Sequence, residues 1–224
     1  MKEISKTPEK ISGMFNEIAA DYDKNNNIIS LGFHSFIKQI AVKELAPKYN
    51  DTVLDLCCGT GDICEILKKY VNPKNIIGID FSSEMLRIAR QKHPSLNFIQ
   101  SDISSLPQEI SNIDKITICF GLRNVENRAK VLEQVYRVLK PGGFVLHLDF
   151  GRKNLFSKMF DLFVSLFVKV MHKNSTPYSY LINSKNQYPE PDDLAKEFEF
   201  ANLKFFKRKD FVFGVISMQI YKKI

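Results

Sequence analysis

The eleven residues TVLDLCCGTGD, running from Thr52 to Asp62, decide the fold. Their first five, Thr52-Val53-Leu54-Asp55-Leu56, have the length and apolar character of a strand covered on both faces. Gly59 and Gly61 follow at once, and a helical stretch continues from Asp62 to about residue 71. A glycine lacks a Cβ, so the chain can turn sharply there and a ligand can approach the backbone. A strand fed through such a turn into a helix is the opening unit of a parallel sheet with helices on its faces.

The same alternation continues outward. NIIGID (75–80), NFIQ (97–100), KITICF (115–120) and GFVLHLDF (143–150) are short apolar runs, and helical stretches at 82–92 and 127–139 lie among them. RVLKPGG (137–143) ends a helix and starts a strand with chain-turning residues. Past residue 150 the pattern predicts a Phe-rich helix (155–171), a loop holding Pro177 and a helix over 191–200. Two closing strands near 203–208 and 211–221 should pair as a hairpin. On the N-terminal side, 9–22 reads as one amphipathic helix with Ile11, Phe15, Ile18 and Tyr22 on a stripe. Asp23–Asn27 reads as a loop, and 33–46 as a second helix stopped by Pro47. The expectation is a doubly wound, mostly parallel α/β sheet with an antiparallel C-terminal edge and an N-terminal helical extension. Residues 1–224 then form a single domain, with 1–47 as a helical cap and 151–190 as a substrate-side helical insertion.

Composition narrows the class. The net charge of +7 favours anionic partners, although a Lys-rich surface also serves solubility. Nucleic acid is disfavoured, because the basic residues are not interleaved with aromatics. The four cysteines show no CxxC spacing and no matching His pairs, so no metal site is expected. Cys57 and Cys58 lie in an apolar run, which suits reduced thiols in a cytoplasmic protein. The N-terminus MKEISKTPEK lacks a leader's apolar stretch, and no segment reads as a membrane span.

The glycine turn selects its ligand by charge. A dinucleotide site wants G-x-G-x-x-G, and here Cys64 holds the third position. Asp55, at the end of the strand, would repel a pyrophosphate and attract a cation. S-adenosylmethionine carries both an ammonium and a sulfonium. Asp80 ends the next strand, where a carboxylate accepts hydrogen bonds from two ribose hydroxyls. Asp102 follows the third strand, placed to meet an adenine amine. Three carboxylates at three successive strand ends, with Gly59, Gly61 and Phe81 beside them, form the expected cofactor site.

These stretches resemble a known family. VLDLCCGTGD, Asp80, FGLRNVEN and RVLKPGG are similar to the ubiquinone/menaquinone biosynthesis C-methyltransferases, as are MFNEIAADYDKNNNIISLGFHSFIKQ and YSYLINS (178–184). FGLRN is particular to that family, whereas GTG and KPGG belong to class I methyltransferases in general. The resemblance implies a Rossmann-like methyltransferase with cofactor contacts at Thr60, Asp80, Asp102, Ile103 and Cys119. It also implies a membrane-soluble prenylated quinol as acceptor, methylated on a ring carbon. The chain departs from the family at Cys119, usually Ser, at Cys57 and Cys58, usually small residues, and at Tyr188, usually His.

Transfer to carbon needs alignment, exclusion of water and an electron-rich ring. Arg123 is a candidate to stabilise a developing phenolate, and Asn124 to bond the second ring oxygen. Tyr22, Asp23 and His34 are candidates to close over the site. Arg123 and Asn124 could instead cap the following helix, and His34 could be only a half-buried helical histidine. The Phe-rich run LFSKMFDLFVSLFVKVM (155–171) reads either as core helix or as a wall for the isoprenoid tail against an anionic bilayer's inner face. The remaining alternatives are a small soluble acceptor and a non-catalytic cofactor-binding scaffold. Dimerisation is left open.

Overall fold

The computed structural model describes residues 7–30, 32–171 and 176–224. The expectation of no leader over Met1–Lys6 falls outside the described residues. Three helices precede the sheet: α1 (Pro8–Ile18), α2 (Tyr22–Ile29) and α3 (Phe33–Leu45). Then β1 (Val53–Leu56), α4 (Asp62–Leu67), β2 (Ile76–Asp80), α5 (Ser83–Lys92), β3 (Asn97–Gln100), β4 (Ile113–Cys119), α6 (Arg128–Val138) and β5 (Leu139–Phe150) follow. The chain closes with α7 (Leu155–Met171), α8 (Thr176–Gln187), α9 (Pro191–Phe200), β6 (Leu203–Phe211) and β7 (Ile216–Lys223).

The seven strands lie in the order β3-β2-β1-β4-β5-β7-β6; the first five are parallel, and β7 runs antiparallel to both β5 and β6. The order reverses between β1 and β4, and this opens a crevice beyond their carboxyl ends. Every residue of β1 is buried. Leu54 and Leu56 face Val131 and Val135 of α6 and Phe198 of α9, while Val53 faces Ile63 and Leu67 of α4. Ile37, Ala41 and Leu45 of α3 pack against Leu146 and Leu148 of β5. The expected doubly wound sheet and closing hairpin are both present.

Three local expectations are corrected. The single helix over 9–22 breaks after Ile18 into a 3-10 turn (Ala19–Asp21). The stretch Asp23–Asn27, expected as a loop, lies inside α2. Its asparagines are weak helix formers, and tertiary contacts override them: Thr60 Oγ1 donates to Asp23 at 2.7 Å, and Lys92 pairs with the same carboxylate. Pro177, expected in a loop, stands in the first turn of α8, where a missing N–H costs nothing.

Candidate active site

Three adjoining cavities occupy the crevice, and Tyr22 lines all of them. The outer one, about 280 Å3, runs along the ends of β1, β2 and β3 past Gly59, Asp80, Phe81, Asp102, Ile103 and Cys119. Ile11 and Phe15 of α1 roof it. The inner one, about 120 Å3, is lined by the polar Asp55, Thr60, Asp62, His34 and Lys38 and by the apolar Phe120, Phe150, Phe160, Leu181 and Ile216. A third, about 70 Å3, extends between Met14, Ile18, Arg123, Tyr180 and Leu181.

The strand-end carboxylates are held by backbone donors. Asp80 accepts from the Gly59 N–H at 2.8 Å and the Ser82 N–H at 2.9 Å, one on each oxygen. Burial raises its pKa while the Ser82, Gly59 and Phe81 amides oppose the rise. A carboxylate oxygen can accept more than one bond, so both remain open to ligand hydroxyls. Asp102 accepts from the Ser104 N–H at 2.8 Å, which fixes it toward the same cavity. Asp55 is 1% exposed, and burial pushes its pKa up to about 7 against hydrogen bonds from Thr117 (2.6 Å) and Cys64 (3.4 Å). A buried carboxylate raised in this way fits a cation arriving beside it. Gly61 is absent from the cavity walls. Its φ of 89° turns the chain, and a Cβ there would lie 2.8 Å from His93. Thr60 reaches the inner cavity with its hydroxyl already given to Asp23.

A family model described as the ubiE/COQ5 methyltransferase family matches residues 3–223. The chain belongs to that family. It is 36% identical to the ubiquinone/menaquinone biosynthesis C-methyltransferase UbiE of Campylobacter jejuni over 96% of this chain and 98% of that one. It is 33% identical to the demethylmenaquinone methyltransferase of Staphylococcus carnosus, over 96% of this chain and 94% of the relative. In fold it is similar to an S-adenosylmethionine-dependent methyltransferase of Thermotoga maritima (TM-score 0.71, 17% identity, 96% of this chain and 100% of that chain).

This methyltransferase uses S-adenosylmethionine, and the residues present fit that group: three carboxylates and the Cβ-free Gly59 lie along the adjoining cavities. Cys119 stands on the wall shared by the two larger cavities. Burial raises its thiol pKa well above the ordinary value, so it is a neutral wall atom rather than a nucleophile. Cys57 takes φ +58°, a conformation that favours glycine, and a Cβ on Gly121 would lie 2.3 Å from the Cys57 Cβ. Position 121 therefore has a steric reason to be glycine.

The candidate acceptor residues separate. Arg123 and Asn124 sit in a 3-10 turn, Leu122–Asn124. Arg123 lines the inner cavities, but its guanidinium pairs with Asp149 at 2.9 Å, and the two side chains are only 7% and 0% exposed. Asn124 does not cap α6. Asn127 does, accepting from the Lys130 N–H at 3.1 Å. Asn124 instead accepts from the Tyr180 hydroxyl at 3.1 Å. His34 is buried at the inner cavity, and its pKa is lowered by burial and by Lys38. Ser30 gives its own proton to the Asn26 carbonyl at 2.6 Å, so His34 Nδ1–H donates to Ser30 at 2.9 Å, and Nε2 is the acceptor nitrogen, meeting the Ser35 hydroxyl at 3.3 Å. Tyr188, a departure from the family, packs away from the cavities against His147 (3.0 Å) and Phe198. Burial lowers the pKa of His147 to about 4.

Sequence reasoning missed Lys38, Asp62, Asp149 and Tyr180. Asp149 carried a signal, a carboxylate inside the apolar run GFVLHLDF. Lys38 carried none, because an isolated lysine on an amphipathic helix reads as solvated surface.

Proposed function

We propose that this methyltransferase acts on a ring carbon of a prenylated quinol in menaquinone or ubiquinone biosynthesis. One observation carries the reading: besides its polar groups the inner cavity is lined by aromatic and aliphatic side chains, Phe120, Phe150, Phe160, Leu181 and Ile216, and it joins the outer cavity at Cys119 and Phe120. A flat apolar ring fits between Phe120, Phe150 and Phe160, and the third cavity, lined by Met14, Ile18 and Leu181, continues in the same apolar character for a tail. The names of the Campylobacter and Staphylococcus relatives support the same acceptor class.

Bound S-adenosylmethionine supplies an electrophilic sulfonium methyl. Asp80 would hold the ribose hydroxyls, Asp102 the adenine amine and Asp55 the ammonium. This alignment, together with water excluded by the phenylalanines, contributes the orientation effect, about 7–11 kcal/mol in favourable cases. His34 is neutral, and its Nε2, which meets the Ser35 hydroxyl at a long 3.3 Å, exchanges that contact for the quinol proton and so raises the electron density of the ring. Arg123, already answered by Asp149, presents a guanidinium face rather than an uncompensated charge to the developing phenolate. Asn124 and Tyr180 meet the second ring oxygen.

Among the described residues no helix is long and apolar enough to cross a membrane. The outward face of α7 nevertheless exposes Leu155, Met159, Leu162 and Leu166 beside Arg152, Lys153 and Lys158. The inward face of the same helix brings Phe160 to the inner cavity and Val164 onto Ile29. The reading therefore sets this outward face against the anionic lipid surface that carries the acceptor.

Turnover of a short-tailed demethylmenaquinol against a tail-free hydroquinone tests the assignment. The tailed acceptor is expected to be preferred. Equal use of the tail-free ring would move the enzyme to small soluble acceptors, and donor binding without turnover of either would make it a scaffold.

A further inference from the structure

We propose that Lys38 of α3 is the residue that binds the α-carboxylate of the methyl donor, pairing with Asp55 to read the donor's amino-acid end as a zwitterion. The inference rests on S-adenosylmethionine as donor and is independent of the quinol acceptor.

Lys38 is an unusual lysine for its helix. Its side chain is 12% exposed and lines the same inner cavity as Asp55. Burial works against its charge, yet Asp62, 3.2 Å away, holds its pKa above the ordinary lysine value, so the group stays an ammonium. An ammonium has three donors, and Asp62 is its one hydrogen-bond acceptor among the described residues. Two N–H groups are left for a ligand in the cavity.

Elimination points the same way. A carboxylate beside Asp55 needs a cation, because two like charges in a dry cavity repel. His34 is kept neutral by burial and by Lys38 itself, and its Nδ1–H is given to Ser30. Thr60 has given its proton to Asp23. Arg123 is paired with the fully buried Asp149. Lys38 is the remaining positive group in that cavity, and Asp55 the remaining negative one. The two already sense each other, since Lys38 lowers the pKa of Asp55. An α-amino acid, with opposite charges on one carbon, matches this pair.

Calorimetry with S-adenosylmethionine and its decarboxylated analogue, which keeps adenosine, sulfonium and ammonium, reads the subsite without any turnover. A charge-assisted hydrogen bond is worth about 1.5–3 kcal/mol, so wild type should bind the full donor about 10- to 150-fold more tightly than the analogue. Lys38→Met should weaken the full donor by a similar factor, leave the analogue nearly unchanged and bring the ratio close to one. Lys38→Arg should restore part of it. Wild-type protein that binds both ligands equally overturns the proposal with no variant needed. A Lys38→Met protein that loses both ligands in parallel makes Lys38 only a strut for Asp62, and overturns it too. Failure of the quinol assignment would change none of these ratios.

Discussion

The two halves of the crevice that the proposed function assigns to donor and acceptor are built on different physics. The donor half is strand ends: Asp80 and Asp102 are tied to backbone amides one or two residues onward, and Asp55 to Thr117 on the neighbouring strand. Such groups are placed by the sheet itself. The acceptor half is assembled from α1, α2, the Leu122–Asn124 turn, α7 and α8, whose side chains meet across long sequence separations, as Tyr180 meets Asn124. Local geometry sets one half, and packing sets the other. Substitutions on the donor side should therefore cost ligand affinity, whereas those on the acceptor side should cost fold first and chemistry second.

The sharpest way to break that division is Arg123→Gln. Removing one partner of a buried pair leaves Asp149 uncompensated, and the expected loss is about 3–5 kcal/mol of stability, read as a fall in Tm. Donor affinity per folded molecule should hold, and kcat per folded molecule should fall. Full turnover per folded molecule would leave Arg123 a strut between the turn and β5.

On the donor side, Asp80→Ala should weaken S-adenosylmethionine binding by about 2–4 kcal/mol, because two ribose hydroxyls lose a charged acceptor. Calorimetry on a variant of unchanged Tm checks it. An unaltered Kd would take Asp80 out of the site.

Asp55 sets affinity against stability within one residue. Its folded pKa, about 7, lies above the ordinary carboxylate value. Between those values the folded state keeps a proton that the unfolded state has lost, so this group lowers stability as pH rises from about 4 to about 7. Asp55→Asn should remove that slope and stabilise the ligand-free protein at pH 8 by on the order of 2 kcal/mol, while weakening donor binding. A wild-type stability profile with the same slope as the variant's would refute the assignment.

The smallest effect concerns the wall between the halves. Gly121→Ala should cost about 1–3 kcal/mol by driving a Cβ into Cys57. In a Cys57→Gly background, which also relieves the φ of +58°, most of that cost should vanish. Additive costs in a double-mutant cycle would show that the two residues do not meet.

Most of the sheet was legible because its signals are local. Apolar runs of strand length, the two glycines and the Lys-Pro-Gly-Gly turn state the order of elements, and Asp55, Asp80 and Asp102 follow from strand-end position. The helical boundaries were less so. Asp23–Asn27 looked like a loop because helix formation there depends on Thr60 and Lys92, distant in the chain. Asn124 looked like a cap because the sequence does not show which of two asparagines starts α6.

By itself the sequence determined the doubly wound sheet, the placing of three carboxylates along its carboxyl edge and, through FGLRN and the opening helices, the family. Only the tertiary structure decided that Arg123 answers to Asp149, that His34 gives its Nδ1–H to Ser30, that Tyr188 belongs to the core and that Lys38 and Asp55 line one cavity. The reason is the range of the interactions. Strand, turn and cap chemistry is written within a few residues, but the partner of a buried charge is whichever group the packing brings near, and no spacing in the chain encodes it.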